Sequence, residues 1–577
     1  MRKTGKQGGD LKQAGSFKSE QPTGTLAQGD KNKVNAFGRS SINVEKAAAG
    51  VIDIDARVTG YVIMSCVIAA FGGILFGYDA GITGGVESMH QFAASYFPST
   101  VNAPNTDFYC KYNDLNLAAY SSLMHFTGAV ASLPASWFTQ HLGRTRSMVI
   151  AGVSFVIGAI LQAASKDTIA MIFIGRIFWG FGVGFGDHCA FIYTAEMAPP
   201  KWRGRLNTIV QCGTISGIVV GSAINIGAYH ILWGWRLSLA LAAVPGSILL
   251  LGGIFLPDTP NSYVERGMYE RGKSVLEKVR GGQTEETELE YNTIVVANEA
   301  VRGLENPWRC IIRRRNLPQL ALAILNPFFQ QWSGVNAISF FAPQIFAGIS
   351  TFSGGVGPLY AALLVNGVQM IATIVTVFVV DKFGRRSMLL TASCVGFGAD
   401  IAVAVLFACT VKPNSPSLAF GPSIASIVLI GIYSISFGFG WGPIGWLVPS
   451  EVHDLNTRSA GQSITVFTQL MSGAVVTMTF LKMMCSLKYG VFIFFGIWQF
   501  LAILYCIFLQ PETQGIPIEE AANFVRSHWF WRKVAYPGGV IPATSIPKLA
   551  GDPEIKARAE ALELRRASTR QSVSSVI

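Results

Sequence analysis

The chain is predicted to be an all-α membrane protein of twelve transmembrane helices in two six-helix halves. Three observations carry that prediction: a composition too apolar for a soluble domain, apolar stretches of spanning length, and short motifs that recur in the same order in each half. Of the 577 residues, 50% are hydrophobic and 14% charged, and the mean hydropathy is +0.39. A typical soluble domain carries roughly 25% charged residues. A helix of about 20 residues crosses about 30 Å of hydrocarbon, and Val58 to Gly77, Ile209 to Ala228, Leu237 to Leu256 and Met388 to Thr410 are each that long.

The elements follow in chain order. Residues 1–55 are rich in Gly, Lys, Gln and Ser, lack the apolar core of a secretory signal, and read as a disordered cytosolic tail. A plastid transit peptide is the alternative, against which stand Asp10, Glu20, Asp30 and Glu45, because such peptides are poor in acids. The N-terminal half, 56–257, holds spans at 57–79, 116–138, 147–164, 169–193, 206–228 and 235–256, with an extracellular lid loop over 80–115. A polar cytosolic linker of intracellular helices, 258–318, leads to the C-terminal half, 319–510. Its spans are expected at 319–348, 356–380, 388–410, 421–448, 460–484 and 489–510. Residues 511–577 close the chain as a cytosolic helix and tail. When loops alternate between the two sides, the bases segregate. One side receives Arg144, Arg146, Lys201, Arg203, Arg205, the Arg266 to Arg315 loop, Lys382, Arg385, Arg386 and Arg458, and the other only a few, such as Lys111, Lys166 and Lys412. That bias places both termini in the cytosol and makes the net charge of +11 a topology signal, not a nucleic-acid footprint.

The halves repeat each other. Gly143-Arg-Thr-Arg-Ser-Met148 recurs as Gly384-Arg-Arg-Ser-Met388, Glu196 with Arg203 recurs as Glu451 with Arg458, and Pro257-Asp-Thr259 recurs as Pro511-Glu-Thr513. Two parallel six-helix halves with a binding site at the midplane define the major facilitator fold, whose mechanism is alternating access. The gating residues expected from the repeat are Arg144, Glu196 and Arg203 in one half and Arg385, Glu451 and Arg458 in the other. Ion pairs and helix-end contacts between the bundles would close the inner side and then break. Plain positive-inside anchoring is the alternative, although anchoring needs no glutamate.

Taken together, the motifs resemble those of the sugar porters of the major facilitator superfamily, and within them the plant and green-algal monosaccharide/proton symporters, the sugar transport proteins. The resemblance runs from about Gly60 to Lys533. It is carried by Phe76-Gly-Tyr-Asp-Ala-Gly-Ile-Thr-Gly-Gly85, Gly175-Arg-Ile177, Pro257-Asp-Thr-Pro-Asn-Ser262, Gln330-Gln-Trp-Ser-Gly-Val-Asn336, Trp441-Gly-Pro-Ile-Gly-Trp-Leu-Val-Pro-Ser-Glu451, Arg458-Ser-Ala-Gly-Gln462, Pro511-Glu-Thr-Gln-Gly515 and His528-Trp-Phe-Trp531. It implies a proton-coupled hexose symporter of the plasma membrane, monomeric, whose partners are a monosaccharide, a proton and the lipid bilayer, with no cofactor. No metal-ligand or nucleophile constellation points to an enzyme. A facilitative sugar or polyol uniporter on the same fold is the first alternative. A membrane sugar sensor is the second, but a sensor wants a long signalling tail and only about 45 residues follow Trp531.

Asp79 ends an uncharged apolar run and is followed by Gly81, Gly84 and Gly85, so the first span is expected to bend or break there. An acid at that depth is costly without a use. Burial raises a carboxylate's pKa and a nearby guanidinium lowers it, so a pair that forms and breaks can take up and release a proton. Arg176 is the partner in span four, and the resemblance implies that Asp79 and Arg176 form the proton couple. A permanent salt bridge between helices is the other reading.

A sugar needs amide side chains for its hydroxyls and an aromatic surface for its C–H face. Gln330, Gln331 and Asn336 supply amides, but offsets of one and six residues share a stripe only if the helix breaks, as Gly334 permits. The resemblance puts all three on the sugar, with Gln211, Trp446 and Phe76 around the ring. Gln369 and Gln469 stand where the plant-type pattern has Asn, one methylene shorter, and complete the expected set. An interhelical glue is the ordinary role of a lone membrane Gln. Two further departures are Gly186-Asp-His-Cys-Ala-Phe191, where an Asn-Gln pair and a proline are usual, and His125 in span two. Asp187 follows Arg176 by three helical turns; it reads as a partner of some base or a wall of a wet vestibule, with a second titratable site as the alternative. Asp400 reads as a satisfied structural acid. Most of the nine cysteines, such as Cys66, Cys212 and Cys394, fall inside spans. The resemblance implies a disulfide between Cys110 and Cys485, tying a lid over Glu87 to Asp114 to the second half and shielding the proton couple from outside water.

Overall fold

The computed structural model describes residues 58–536 except 102–108, 111–112, 167, 200–201, 302–305, 347–355, 412–419, 515 and 517. The tails expected at 1–55 and beyond Tyr536, and Lys111, Lys201 and Lys412 of the charge argument, lie outside the described residues. Every regular element among the described residues is helical. In the first half α1 (Gly60–Ala69) and α2 (Phe71–Ser88) form one bent span, followed by the short α3 (His90–Tyr96) and α4 (Pro98–Val101). Then come α5 (Leu115–Leu142), α6 (Arg144–Ala163), α7 (Ile169–Met197), α8 (Arg203–Ala228) and the paired α9 (Gly234–Leu241) and α10 (Ala243–Phe255). Four linker helices, α11 (Pro260–Glu265), α12 (Tyr269–Arg280), α13 (Glu285–Val301) and α14 (Pro307–Ile311), lead to the second half. That half holds α15 (Leu317–Trp332), α16 (Val335–Phe346), α17 (Gly357–Phe383), α18 (Arg385–Thr410), α19 (Phe420–Phe439), α20 (Trp441–Glu451), α21 (Arg458–Leu487) and α22 (Gly490–Phe508), closed by α23 (Ile518–Ser527) and α24 (Trp531–Ala535).

Ten of these helices or bent pairs are long and apolar enough to cross a bilayer. The 28-residue α5 and the broken α15–α16 occupy the second and seventh places in the order and complete a six-plus-six arrangement. Large apolar side chains such as Phe255, Phe378 and Phe126 stand exposed on the outer surface, as a lipid-facing wall requires. The halves meet along two seams, α5 against α21 and α8 against α17, while α16 leans on α2.

The first span differs from expectation. It bends at Ala70, not at Asp79, and α2 runs unbroken through Asp79 to Ser88, so residues 80–88 of the expected lid belong to the membrane helix. The glycines serve packing instead. A Cβ on Gly77 or Gly81 would strike the backbone of α8 at Thr214 and Ile218, and one on Gly84 would strike the Phe340 carbonyl of α16. Without water to satisfy a broken helix, small residues in a bilayer let backbones approach while every hydrogen bond stays made. The expected break in span seven is present: Gly334 takes φ +95° between α15 and α16, a conformation that suits glycine.

Candidate functional site

All eight side chains expected to hold substrate converge on one buried cavity between the halves. Phe76 comes from α2, Gln211 from α8, Gln330 and Gln331 from α15, Asn336 from α16, Gln369 from α17, Trp446 from α20 and Gln469 from α21. The break at Gly334 turns Asn336 toward the two glutamines, which an unbroken helix would not. The cavity encloses about 480 Å³ of space between atoms, little of it wide enough for a free water. Its polar valences are open: Gln211 Oε1, Gln330 Oε1, Gln331 Oε1, Gln369 Nε2 and Gln469 Oε1 are buried without a hydrogen-bond partner. Native structures leave few such groups unpaired, so this concentration marks a place built for a polar ligand. Gln330 is held in position by donating Nε2 to the carbonyls of Trp441 (2.9 Å) and Gly442 (3.1 Å), in the first turn of α20.

Several residues in or beside the cavity were not in the expected set. Phe191 stacks on Trp446 with centroids 4.5 Å apart and planes 14° from parallel. His125 approaches Asn336 Nδ2 at 3.3 Å and meets the Phe76 ring edge-on at 5.6 Å. Asp187 lines the cavity and pairs with no base; its Oδ2 has no partner. The sequence reading of Asp187 as a vestibule wall agrees with its place in the cavity lining, whereas His125 and the stretch that ends at Phe191 are departures to which the sequence alone assigns no role. Asp400, expected to be satisfied, is 3% exposed with Oδ2 unpartnered.

Beside the cavity, Asp79 and Arg176 are fully buried and ion-paired. Arg176 also donates Nη2 to Thr83 Oγ1 (2.8 Å), and that hydroxyl donates to Asp79 Oδ1 (2.9 Å). The guanidinium lies over the Tyr120 ring, 4.0 Å from its centroid, a cation–π contact that holds the charge in a dry setting. Asp79 Oδ2 keeps no partner and is open to a proton. A second acid, Glu87, is buried two turns farther along α2. It accepts from Ser121 Oγ of α5 (2.6 Å) and from Gln344 Nε2 of α16 (3.0 Å), so it ties the two halves together. Its place was read as the start of the lid, since nothing in the local sequence announces a helix running to Ser88.

The repeated motifs form one cluster in each half. Asp258 Oδ1 accepts from the Arg144 backbone N–H (3.0 Å), and Arg144 pairs with Glu196 (2.7 Å) and Glu265 (2.7 Å). In the second half Glu512 Oε1 accepts from the Arg385 N–H (2.8 Å), and Arg385 pairs with Glu451 (3.3 Å) and Asp381 (3.5 Å). Thr259 donates to Glu196 as Thr513 donates to Glu451. The expectation that these pairs bridge the bundles is therefore corrected: each knits neighbouring helices of its own half. The crossing contacts come from the following helix. Arg203 opens α8, a Cβ on Gly204 would sit 3.3 Å from both Arg385 Nη2 and Asp381 Oδ1, and Arg205 Nε reaches Asp381 Oδ2 at 2.8 Å. Arg458 at the start of α21 lines a cavity with Arg144 and Glu196. At the opposite end a disulfide joins Cys110 to Cys485, with Cα atoms 4.5 Å apart. Near it α3 packs Phe92 against Tyr96, Phe97, Tyr120 and Trp235.

Comparison with known proteins agrees with this geometry. The family described as "Sugar (and other) transporter" matches residues 65–524. Sugar transport protein MST4 of Oryza sativa subsp. japonica is 42% identical over 489 residues, covering 84% of this chain and 94% of that protein. Sugar transport protein 7 of Arabidopsis thaliana is 40% identical, covering 86% and 96%. Among solved structures, the major facilitator proton:xylose symporter XylE bound to 6-bromo-6-deoxy-D-glucose superposes with a TM-score of 0.68 at 22% identity, over 81% of this chain and 99% of that one. With the family match spanning both halves and the fold shared with that symporter, the chain belongs to the sugar transporter family.

Proposed function

We propose that this multi-pass membrane protein imports a hexose together with a proton across the plasma membrane, as a monomer with both termini in the cytosol. The observation that carries the reading is that the amide-lined cavity and the Asp79–Arg176 pair share their helices. Phe76 and Asp79 lie one turn apart on α2, and Arg176 and Asp187 lie on α7. Gln211, Gln330, Gln331, Asn336, Gln369 and Gln469 bind the sugar hydroxyls, and Phe76 and Trp446 pack its apolar face. A proton on Asp79 Oδ2 removes the carboxylate charge and weakens its hold on Arg176, freeing α2 to move against α7. Sugar binding draws α15 and α16 toward the first half through Gln330, Gln331 and Asn336. Both ligands then favour the same rearrangement, which is what coupling requires. At the cytosolic end the Arg144–Glu196 and Arg385–Glu451 clusters keep each half rigid, and Arg203, Arg205 and Arg458 close the gap between them. The lid that follows Ser88, held by Cys110 and Cys485, keeps outside water from the couple.

The test is uptake of labelled glucose into proteoliposomes that carry only this protein, with and without an inward proton gradient. Accumulation above equilibrium that a protonophore abolishes is the expected result. Simple equilibration, indifferent to the gradient, would make the protein a uniporter and leave Asp79–Arg176 a structural pair.

A further inference from the structure

Asp187 has no part in the scheme above, yet among the described residues it is the one ionisable side chain in the lining of the central cavity. It is 3% exposed, and its Oδ2 is buried without a partner. Among the described residues no lysine or arginine lines that cavity. The nearby charged and titratable groups have contacts elsewhere, although His188 Nε2 and His125 Nδ1 keep no partner. Arg176, three turns back on α7, is taken by Asp79; His188 turns to Ser463 of α21 at 3.3 Å; His125 of α5 faces Asn336 and Phe76. Glu87 on α2 is held by Ser121 and Gln344.

A lone carboxylate among amides and aromatic rings is costly, because nothing replaces its lost hydration. A ligand that carried only hydroxyls would find donors and acceptors enough in the six amides. A ligand that carried a cation would remove the cost by pairing with the anion. One turn beyond Asp187, Phe191 stacks on Trp446, and aromatic faces also attract a cation. We propose that the cavity takes hexosamines, sugars bearing a protonated amine, with Asp187 as their counter-ion. This rests on the sugar-transport reading and narrows it to a substrate class.

The experiment measures how unlabelled glucosamine and unlabelled glucose each inhibit labelled-glucose uptake into proteoliposomes, for the wild type and for Asp187→Asn. The wild type is expected to be inhibited by glucosamine at least as strongly as by glucose. In Asp187→Asn the ratio of half-inhibitory concentrations, glucosamine over glucose, should rise about tenfold or more. A ratio unchanged by the substitution overturns the proposal. Should the variant fail to fold, thermal protection of the wild type decides: glucosamine should lose its protective effect at alkaline pH, where its amine is neutral, relative to glucose. Equal protection by glucosamine at both pH values also overturns it. Glucose uptake with no inhibition by glucosamine would sink this proposal and leave hexose transport standing, whereas protection by glucosamine without any glucose uptake would do the reverse.

Discussion

A proton couple needs a carboxylate that is dry, within reach of a cation, and left with an oxygen for the proton. Asp79 meets all three conditions: it is fully buried, paired with Arg176, and its Oδ2 is free of partners. Asp79→Asn keeps the shape and the Thr83 contact while removing the titration. The expected outcome is loss of concentrative uptake with sugar exchange retained, read in proteoliposomes under an imposed gradient; accumulation that survives would show the pair to be structural. Glu87 gives a second prediction at the same scale. Its bond from Gln344 joins the halves at the disulfide end, and a hydrogen bond of this kind contributes about 0.5–1.5 kcal/mol. Glu87→Ala should shift the protein toward opening at that end by roughly two- to tenfold. Faster alkylation of a reporter introduced as Ser339→Cys would register it, and an unchanged rate would mean that Glu87 does not hold the gate. Asp79 and the clustered amides of the cavity stood out in the sequence because polar groups in apolar spans are few, whereas the parts of Arg176, Gln211, Phe76 and Trp446 came from the family resemblance. Glu87 and Gln344 were not, because their meaning lies in a contact between residues 257 positions apart.

Helices of this chain break where the site needs them to. Gly334 separates α15 from α16, and Gly440 separates α19 from α20, whose first-turn carbonyls position Gln330. The first break was foreseeable from the spacing of Gln330, Gln331 and Asn336. The run of glycines after Asp79 misled, since glycine in a membrane helix marks close packing as readily as a bend. A loop outside the spans carries a different signal. His453, between α20 and α21, is 1% exposed with both ring nitrogens unpartnered, and burial pushes its pKa down to about 4. Asp454 counters that shift, while Arg458 and Arg526 add to it. The folded pKa lies below the unfolded value of about 6.5, so the unfolded chain binds the extra proton between pH 6.5 and 4. Its stabilising contribution is therefore complete above about pH 6.5 and falls as the pH drops toward 4. The loss amounts to about 3 kcal/mol at most. His453→Gln, neutral throughout, should flatten the acid limb of a melting-temperature profile; an identical acid limb in both proteins would refute the assignment.

At the scale of the whole molecule, two halves built on one plan enclose a cavity that neither could form alone. The plan shows in the paired clusters around Arg144 and Arg385, where three separated motifs of each half meet. The Cys110–Cys485 disulfide links residues 375 apart and fastens the lid to the second half. Constraining so long a loop in the unfolded chain stabilises the native state by about 2–4 kcal/mol. Cys485→Ser should lower the melting temperature, and dithiothreitol should reproduce the drop in the wild type but leave the variant unmoved. A variant as stable as the wild type would show that the aromatic packing of α3 alone holds the lid. What the sequence determined by itself was the membrane class, the repeat, the two halves and the residue types of the site, because hydropathy, charge bias and motif spacing are local properties of the chain. Tertiary structure alone decided which ion pairs stay within a half, where the first span bends, and that Asp187 faces the cavity without a cation. Those depend on the distance between helices remote in sequence, which the chain fixes only once it is packed.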